Sequence, residues 1–122
     1  MRAAIYTRSA TGNRTHLDAQ AEKCAQYASE RGYIVAEVYE DEVQSGMAKD
    51  GSALTHMISD ANRHHFDAVV IEDVSRLSRR MDKVRQIMTD LQNMGITLLI
   101  VGQGIWSESG RRLIQKWVVL QR

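Results

Sequence analysis

The chain of 122 residues contains no proline and one cysteine, and its net charge is only +1. The single cysteine, Cys24, excludes a disulfide framework and lies on a predicted apolar helix stripe, so it is interpreted as a core thiol. Because the net charge gives no global attraction to a polyanion, nucleic-acid binding would require a local charge cluster. No apolar run approaches the roughly 18 residues of a membrane span. These absences favour one globular domain, with no membrane partner, in a reducing cytoplasm.

What the chain does contain is an alternation of short apolar, β-branched runs with amphipathic segments. Strands are predicted at residues 3–6, 34–39, 68–71 and 96–101. Helices are predicted at about residues 17–31, 54–61 and 84–91, and a last helical pattern at 113–120 is cut short. Gly32 and Gly95 stand where left-handed caps would end two helices. This order predicts an α/β fold, a mainly parallel four-stranded sheet with helices on both faces and a truncated C-terminal helix.

The segment from residue 69 to residue 80 is the most informative, because an apolar strand is followed by three arginines within five positions. These are Arg76, Arg79 and Arg80. Ligands of open α/β sheets bind outside the carboxyl ends of the strands, so guanidinium groups there suit a phosphate or another oxyanion. If the segment is helical, Arg76 and Arg79 share a face. Taken alone, the cluster is explained more simply as a solvated basic helix start.

Polar residues follow the first two strands at a similar place. Arg8 and Ser9 come after the first strand, and Asp41 comes after the second. Because the carboxyl ends of parallel strands meet at one edge, these side chains and the arginines are expected to lie together. Guanidinium groups would bind nonbridging oxygens and stabilise charge in a phosphoryl-transfer transition state. The sequence therefore predicts a phosphoryl-transfer pocket at this edge.

Four short motifs, in this order and spacing, resemble the catalytic domain of the serine site-specific recombinases, the resolvases and invertases. They are Tyr6-Thr7-Arg8, Leu17-Asp18-Ala19-Gln20, Tyr39-Glu40-Asp41 with Ser45-Gly46, and Ser75-Arg76-Leu77-Ser78-Arg79. The resemblance implies a resolvase-like catalytic domain over residues 1–122, with the family's C-terminal DNA-binding region not present. It also implies cutting and rejoining of double-stranded DNA through a 5′-phosphoserine intermediate, by a homodimer that forms a tetramer on DNA. Neither a metal nor a small-molecule cofactor is implied.

The same resemblance assigns roles to residues of this chain. The predicted catalytic residues are Ser9, Arg8, Asp41, Arg76 and Arg79, of which Ser9 is predicted as the serine nearest to the family's nucleophile position. The arginines match the family's phosphate-binding arginines, and Asp41 matches its carboxylate after the second strand. The substrate-binding residues are Gln20, Lys49 and Arg80, of which Gln20 matches a polar residue in the family's first helix.

Three positions depart from the family pattern. The pattern Tyr-x-Arg-x-Ser would put the nucleophile at position 10, where this chain has Ala10. Ser9 is the nearby serine, but adjacent side chains of a strand point to opposite faces, so Ser9 reaches the site only if the strand end turns or bulges. Gly51 stands where the family has an arginine, with Lys49 as a replacement point charge. Ser75 stands where many members have aspartate.

Two other classes of function stay open at this stage. One is a catalytically inactive, DNA-binding or accessory subunit, which Ala10 and Gly51 favour. The other is an unrelated doubly wound domain for a small phosphorylated ligand, although its first turn lacks the glycines of a nucleotide binder. A metal site is not predicted, because His56, His64 and His65 have no carboxylate or cysteine at the usual ligand spacing.

Overall fold

The computed structural model describes residues 1–9, 13–42 and 52–106. Its strands are β1 (Arg2–Ser9), β2 (Ile34–Glu42), β3 (Ala68–Ile71), β4 (Thr97–Ile100) and β5 (Gly104–Trp106). Its helices are α1 (Arg14–Glu30), α2 (Ser52–Asn62) and α3 (Met81–Asn93), with one turn of 3₁₀ helix at Val74–Arg76. No helix in these ranges is long and apolar enough to cross a membrane. The predicted last helix lies outside the described residues, as do Ala10, Lys49 and Gly51.

The strands form one sheet in the order β2-β1-β3-β4-β5. The first four are parallel, and β5 is antiparallel to β4. The predicted α/β fold with a mainly parallel sheet is therefore confirmed, but the prediction of four strands is wrong because the described residues form five. The additional strand has three residues and follows a tight turn in which Gly102 has a φ of 79°. A strand of three residues is too short to show a recognisable alternation of apolar and polar residues in the sequence.

Helices cover both faces of the sheet, as predicted. On one face α1 packs on alternate residues of the strands, among them Ala3, Ile5 and Val70. On the other face α2 and α3 pack on the residues between them, including Ala4 and Tyr6. This alternation is what a strand buried on both faces requires.

Local sequence signals account for the helix ends. Asn13 caps α1, its side chain accepting hydrogen bonds from the backbone N–H groups of Thr15 and His16 at 2.9 and 3.4 Å. Gly32 and Gly95 follow α1 and α3 with φ angles of 81° and 79°, which is the left-handed region that glycine adopts without strain. Both predicted glycine caps are therefore confirmed.

Strand β1 extends further than β3, and this difference creates the edge at which the polar residues lie. Residues 3–5 of β1 pair with β3, whereas pairing with β2 continues to the last pair, Ser9 with Glu42. The side of β1 that faces β3 therefore lacks a strand partner over its last residues. Backbone N–H and C=O groups in that position need other hydrogen-bond partners.

Candidate functional site

The backbone of Arg8 is held by a side chain of α1 instead of by a strand. Its N–H donates to Gln20 Oε1 at 3.1 Å, and Gln20 Nε2 donates to the Arg8 carbonyl at 3.0 Å. The Gln20 amide thus continues the sheet where β3 has ended. Gln20 is only 3% exposed, and both polar ends of its amide are engaged. The predicted site residue Gln20 is therefore placed against Arg8, and its amide fixes the position of the Arg8 backbone.

Arg76 binds to the same carbonyl group of Arg8. Its Nη1 donates to the Arg8 carbonyl at 3.2 Å, and its Nη2 donates to Glu72 Oε1 at 2.8 Å. Its Nε lies 3.7 Å from Asp73 Oδ2. The Arg76 side chain is 32% exposed, so part of this side chain faces solvent next to the end of β1. The structure thus places the Arg76 guanidinium against the backbone of Arg8, at the edge that the strand topology predicted.

The segment that carries Arg76 is a series of turns. Because it is not an α-helix, Arg76 and Arg79 do not share a helix face. The Asp73 side chain accepts hydrogen bonds from the backbone N–H and the hydroxyl of Ser75, which closes the 3₁₀ turn. Five residues later, Arg80 is the extended residue before α3, and its N–H donates to Ser78 Oγ at 3.1 Å. Local hydrogen bonds of this kind compete with helix formation.

Asp41 lies beside Arg8 in the register of β1 and β2. Its carboxylate accepts hydrogen bonds from the hydroxyl of Tyr6 at 2.6 Å and from the N–H groups of Ala53 and Leu54 at 2.9 and 3.0 Å. Asp41 is 5% exposed, so these contacts are made largely out of water. The carboxylate caps the start of α2 and ties it to the sheet, because unpaired N–H groups at a helix start need an acceptor.

Ser9 is the last residue of β1 and is 3% exposed. Ile5 belongs to the α1 face of the sheet and Tyr6 to the opposite face. Strand alternation therefore assigns Ser9 to the α1 side and Arg8 to the side of Tyr6 and Asp41. The only register shift between β1 and β2 lies at Ala3 and Ala4, far from Ser9. Up to Ser9, the described strand has no bulge that would exchange these two faces.

The remaining predicted arginines lie on the exposed side of the segment. Arg79 and Arg80 are both exposed. Arg80 forms a bidentate ion pair with Asp82, in which Nε and Nη2 donate to the two carboxylate oxygens at 3.3 and 2.8 Å. The hydrogen bond from Arg80 lowers the pKa of Asp82. Much of the charge of Arg80 is therefore balanced by its own neighbour.

An ion-pair cluster on the β2 side of the site connects α1 to the end of β2. Arg14 contacts Asp18 at 2.8 Å, Glu40 through the same Nη2 atom, and Glu42 at 3.8 Å. Hydrogen bonds to Asp18 and then to Glu40 raise the pKa of Arg14. Because Glu42 pairs with Ser9 in the sheet, an acidic side chain lies on the strand next to the serine.

Two residues of the site were not singled out as site residues from the sequence. Tyr6 was recognised only as part of a motif, although a tyrosine in a buried strand signals a hydroxyl that needs a partner. Glu72 precedes Arg76 by four residues, and that spacing was a possible signal for an ion pair. In the described ranges, no three His, Cys, Asp or Glu side chains are grouped to hold a metal ion.

Comparison with known proteins agrees with this geometry. Residues 3–118 match the family described as "Resolvase, N terminal domain". The N-terminal catalytic domain of TP901-1 integrase is 26% identical, with a TM-score of 0.76, and the alignment covers 99% of this chain and 94% of that one. None of the curated proteins matches the chain.

Two further solved structures share the fold at lower identity. A resolvase family site-specific recombinase from Streptococcus pneumoniae is 22% identical, with a TM-score of 0.75 and coverage of 100% and 88% of the two chains. The C-terminal catalytic domain of ISC1926 TnpA, an IS607-like serine recombinase, is 24% identical, with a TM-score of 0.72 and coverage of 98% and 80%.

Proposed function

The chain belongs to the resolvase N-terminal domain family, and from this premise we propose that it binds the phosphodiester backbone of double-stranded DNA and cuts and rejoins that DNA. Membership also removes the alternative of an unrelated domain for a small phosphorylated ligand. The observation that carries the proposal is the hydrogen bond between Arg76 Nη1 and the Arg8 carbonyl at 3.2 Å. It places the Arg76 guanidinium against the backbone of Arg8, at the end of β1, where this class of sheet binds its ligands.

The surroundings of these arginines suit a phosphodiester. Guanidinium groups present paired donors that match the nonbridging oxygens of a phosphate, and they cannot lose their charge at neutral pH. Gln20 fixes the backbone of Arg8, and Asp41 fixes the start of α2 beside it. A site with positions fixed in advance stabilises developing charge without reorganising during the reaction. Arg79 is exposed and follows Arg76 by three residues, so it is proposed as a further phosphate-binding cation.

The chemical step proposed for Ser9 is a phosphoryl transfer. The Ser9 oxygen attacks the phosphorus, a bond from that oxygen to phosphorus forms, and the bond from phosphorus to the 3′ oxygen breaks. The serine proton passes to the departing 3′ oxygen, which leaves as a hydroxyl. The 5′ end of the DNA is then held as a phosphoserine ester, and reversal of the same step on a new 3′ hydroxyl rejoins the strand. Arg8 and Arg76 stabilise the charge on the nonbridging oxygens.

Specific observations favour a second candidate function, that of a catalytically inactive subunit that binds DNA or an active recombinase. Ala10 occupies the family position of the nucleophile. Ser9 is 3% exposed and lies on the α1 side of the sheet by strand alternation. A serine in this position has to leave the strand geometry before its oxygen can reach a phosphorus bound at Arg8. In this second function, the arginines retain phosphate binding while the covalent step is absent.

A trapping experiment separates the two functions. The full-length protein that carries this domain is incubated with nicked DNA containing its crossover site, and products are separated on a denaturing gel and identified by peptide mass. A DNA adduct on Ser9 that is absent in Ser9→Ala establishes the covalent step. DNA binding without any adduct, also in Ala10→Ser, establishes the inactive subunit. DNA binding that is unchanged in Arg76→Ala contradicts both functions.

The proposed assembly is a homodimer that joins into a tetramer on DNA. Sedimentation of the full-length protein with and without its DNA site tests this directly. A particle that remains monomeric at all concentrations, and that binds DNA one copy at a time, contradicts the proposed assembly.

A further inference from the structure

Glu72 lies between two cations at the edge of the site. One carboxylate oxygen, Oε1, accepts the hydrogen bond from Arg76 Nη2 at 2.8 Å, and the other, Oε2, accepts from Lys23 Nζ at 3.3 Å. The Glu72 side chain is 19% exposed, against 64% for Lys23. Glu72 thus directs a large part of the Arg76 guanidinium toward the protein.

The local charges around Arg76 nearly cancel. Arg76 and Lys23 contribute two positive charges, and Glu72 and Asp73 contribute two negative charges within ion-pair distance. A phosphate that approaches Arg76 therefore meets a weaker field than a lone guanidinium would produce. In addition, Nη2 cannot give its full hydrogen-bonding capacity to a phosphate while it donates to Glu72.

We propose that Glu72 competes with DNA phosphate for Arg76 and thereby sets the phosphate affinity of the site. This inference rests on the function proposed above. Lys23 makes the exchange feasible, because a carboxylate that already contacts a second cation is not left as an unpaired, partly buried charge when it releases the first. The bond from Nη1 to the Arg8 carbonyl holds the guanidinium at the strand end during the exchange. Glu72 is therefore a residue that acts through Arg76 and does not itself contact the DNA.

The test measures binding of a short double-stranded DNA oligonucleotide by fluorescence anisotropy over a series of salt concentrations. The Glu72→Gln variant is expected to bind the oligonucleotide about threefold to tenfold more tightly, because the ion pair between Glu72 and Arg76 no longer competes with the phosphate. Its plot of log affinity against log salt should steepen by about 0.9, which is the slope of one additional phosphate contact. A merely structural role of Glu72 would not change this slope.

The matched control is Glu30→Gln, which changes the net charge by the same amount at an exposed position at the end of α1. It is expected to change the affinity less than twofold, because charges separated by more than about 10 Å are largely screened at moderate salt. Glu72→Asp keeps the charge but shortens the reach to Nη2, and a smaller gain in the same direction is expected. It also provides a second measurement if Glu72→Gln folds poorly, which a thermal melt detects.

Arg76→Ala distinguishes failure of this inference from failure of the proposed function. Weaker DNA binding by Arg76→Ala, with no gain in either Glu72 variant, overturns the competition and leaves the proposed function intact. Unchanged binding by Arg76→Ala contradicts the phosphate site itself. A gain from Glu72→Gln that persists in the Arg76→Ala background overturns the inference, because the gain then does not act through Arg76.

Discussion

Replacement of Asp41 by alanine tests whether this carboxylate holds α2 against the sheet. The change removes the acceptor of three hydrogen bonds, from Tyr6, Ala53 and Leu54. Loss of the cap at the start of α2 costs about 1 kcal/mol. Loss of the bond from the buried Tyr6 hydroxyl to a charged acceptor costs about 2 kcal/mol. We therefore expect Asp41→Ala to lower the free energy of unfolding by about 3 kcal/mol.

The assay is urea unfolding at neutral pH followed by circular dichroism, together with thermal melting. With an unfolding entropy of about 2.1 cal/mol/K per residue, a loss of this size lowers the melting temperature by roughly 10 °C. Tyr6→Phe removes one of the three bonds and should cost less. Because Tyr6 and Asp41 are in direct contact, the double variant should cost less than the sum of the two single changes, by about 1 kcal/mol.

Asp82→Ala is the matched control, because it removes a carboxylate whose side chain is 65% exposed and paired with Arg80. Exposed pairs of this kind contribute at most about 1 kcal/mol. If Asp41→Ala destabilises the protein no more than Asp82→Ala does, the argument that Asp41 anchors α2 is refuted. Such a result would mean that water replaces the carboxylate at the start of the helix and at Tyr6 without a measurable penalty.

Three other predictions follow from buried or paired groups. Gln20→Ala removes the amide that bonds to the N–H and the carbonyl of Arg8. We expect it to lower the free energy of unfolding by about 1–2 kcal/mol, measured by urea unfolding. An unchanged unfolding midpoint contradicts the role of Gln20 in continuing the sheet. The hydrogen bond from Tyr39 lowers the pKa of Asp60 below its unfolded value, so the stability that Asp60 adds is present above about pH 4 and is lost as the pH falls through the folded pKa. Melting temperatures of the wild type and Asp60→Asn, measured from neutral to acid pH, should therefore converge at low pH, and a constant difference argues against this. Burial raises the pKa of Cys24 to about 12, so native protein should react slowly with a thiol reagent near neutral pH and fast after unfolding; equal rates contradict this prediction.

Much of the fold could be predicted because apolar periodicity directly reflects burial on two faces of a sheet. The predicted third strand, residues 68–71, has the same bounds in the structure. The first two strands continue three residues beyond their predicted ends, to Ser9 and Glu42. These extensions are polar, and they are strands because they pair with each other along the shared edge. Such pairing is a tertiary effect that local propensity does not contain.

The candidate site was predictable in its location and less so in its contacts. The rule that ligands bind at the carboxyl ends of parallel strands was sufficient to expect Arg8, Asp41 and Arg76 at one edge. It could not predict that Gln20 bonds to the backbone of Arg8, because that contact depends on how far β1 extends beyond β3. The contact of Glu72 with Arg76 had a signal in their spacing of four residues, but that spacing alone does not show that Glu72 also contacts Lys23.

The unequal edges of the sheet have a consequence for how the protein behaves at high concentration. At one edge β5 is only three residues long, which gives another chain little backbone to pair with. At the other edge of the described sheet, β2 is nine residues long and carries Glu37, Glu40 and Glu42, three carboxylates of which Glu40 and Glu42 share the cation Arg14. If two copies paired through β2, these like charges would be brought together, so the outermost strand carries its own protection against edge-to-edge aggregation.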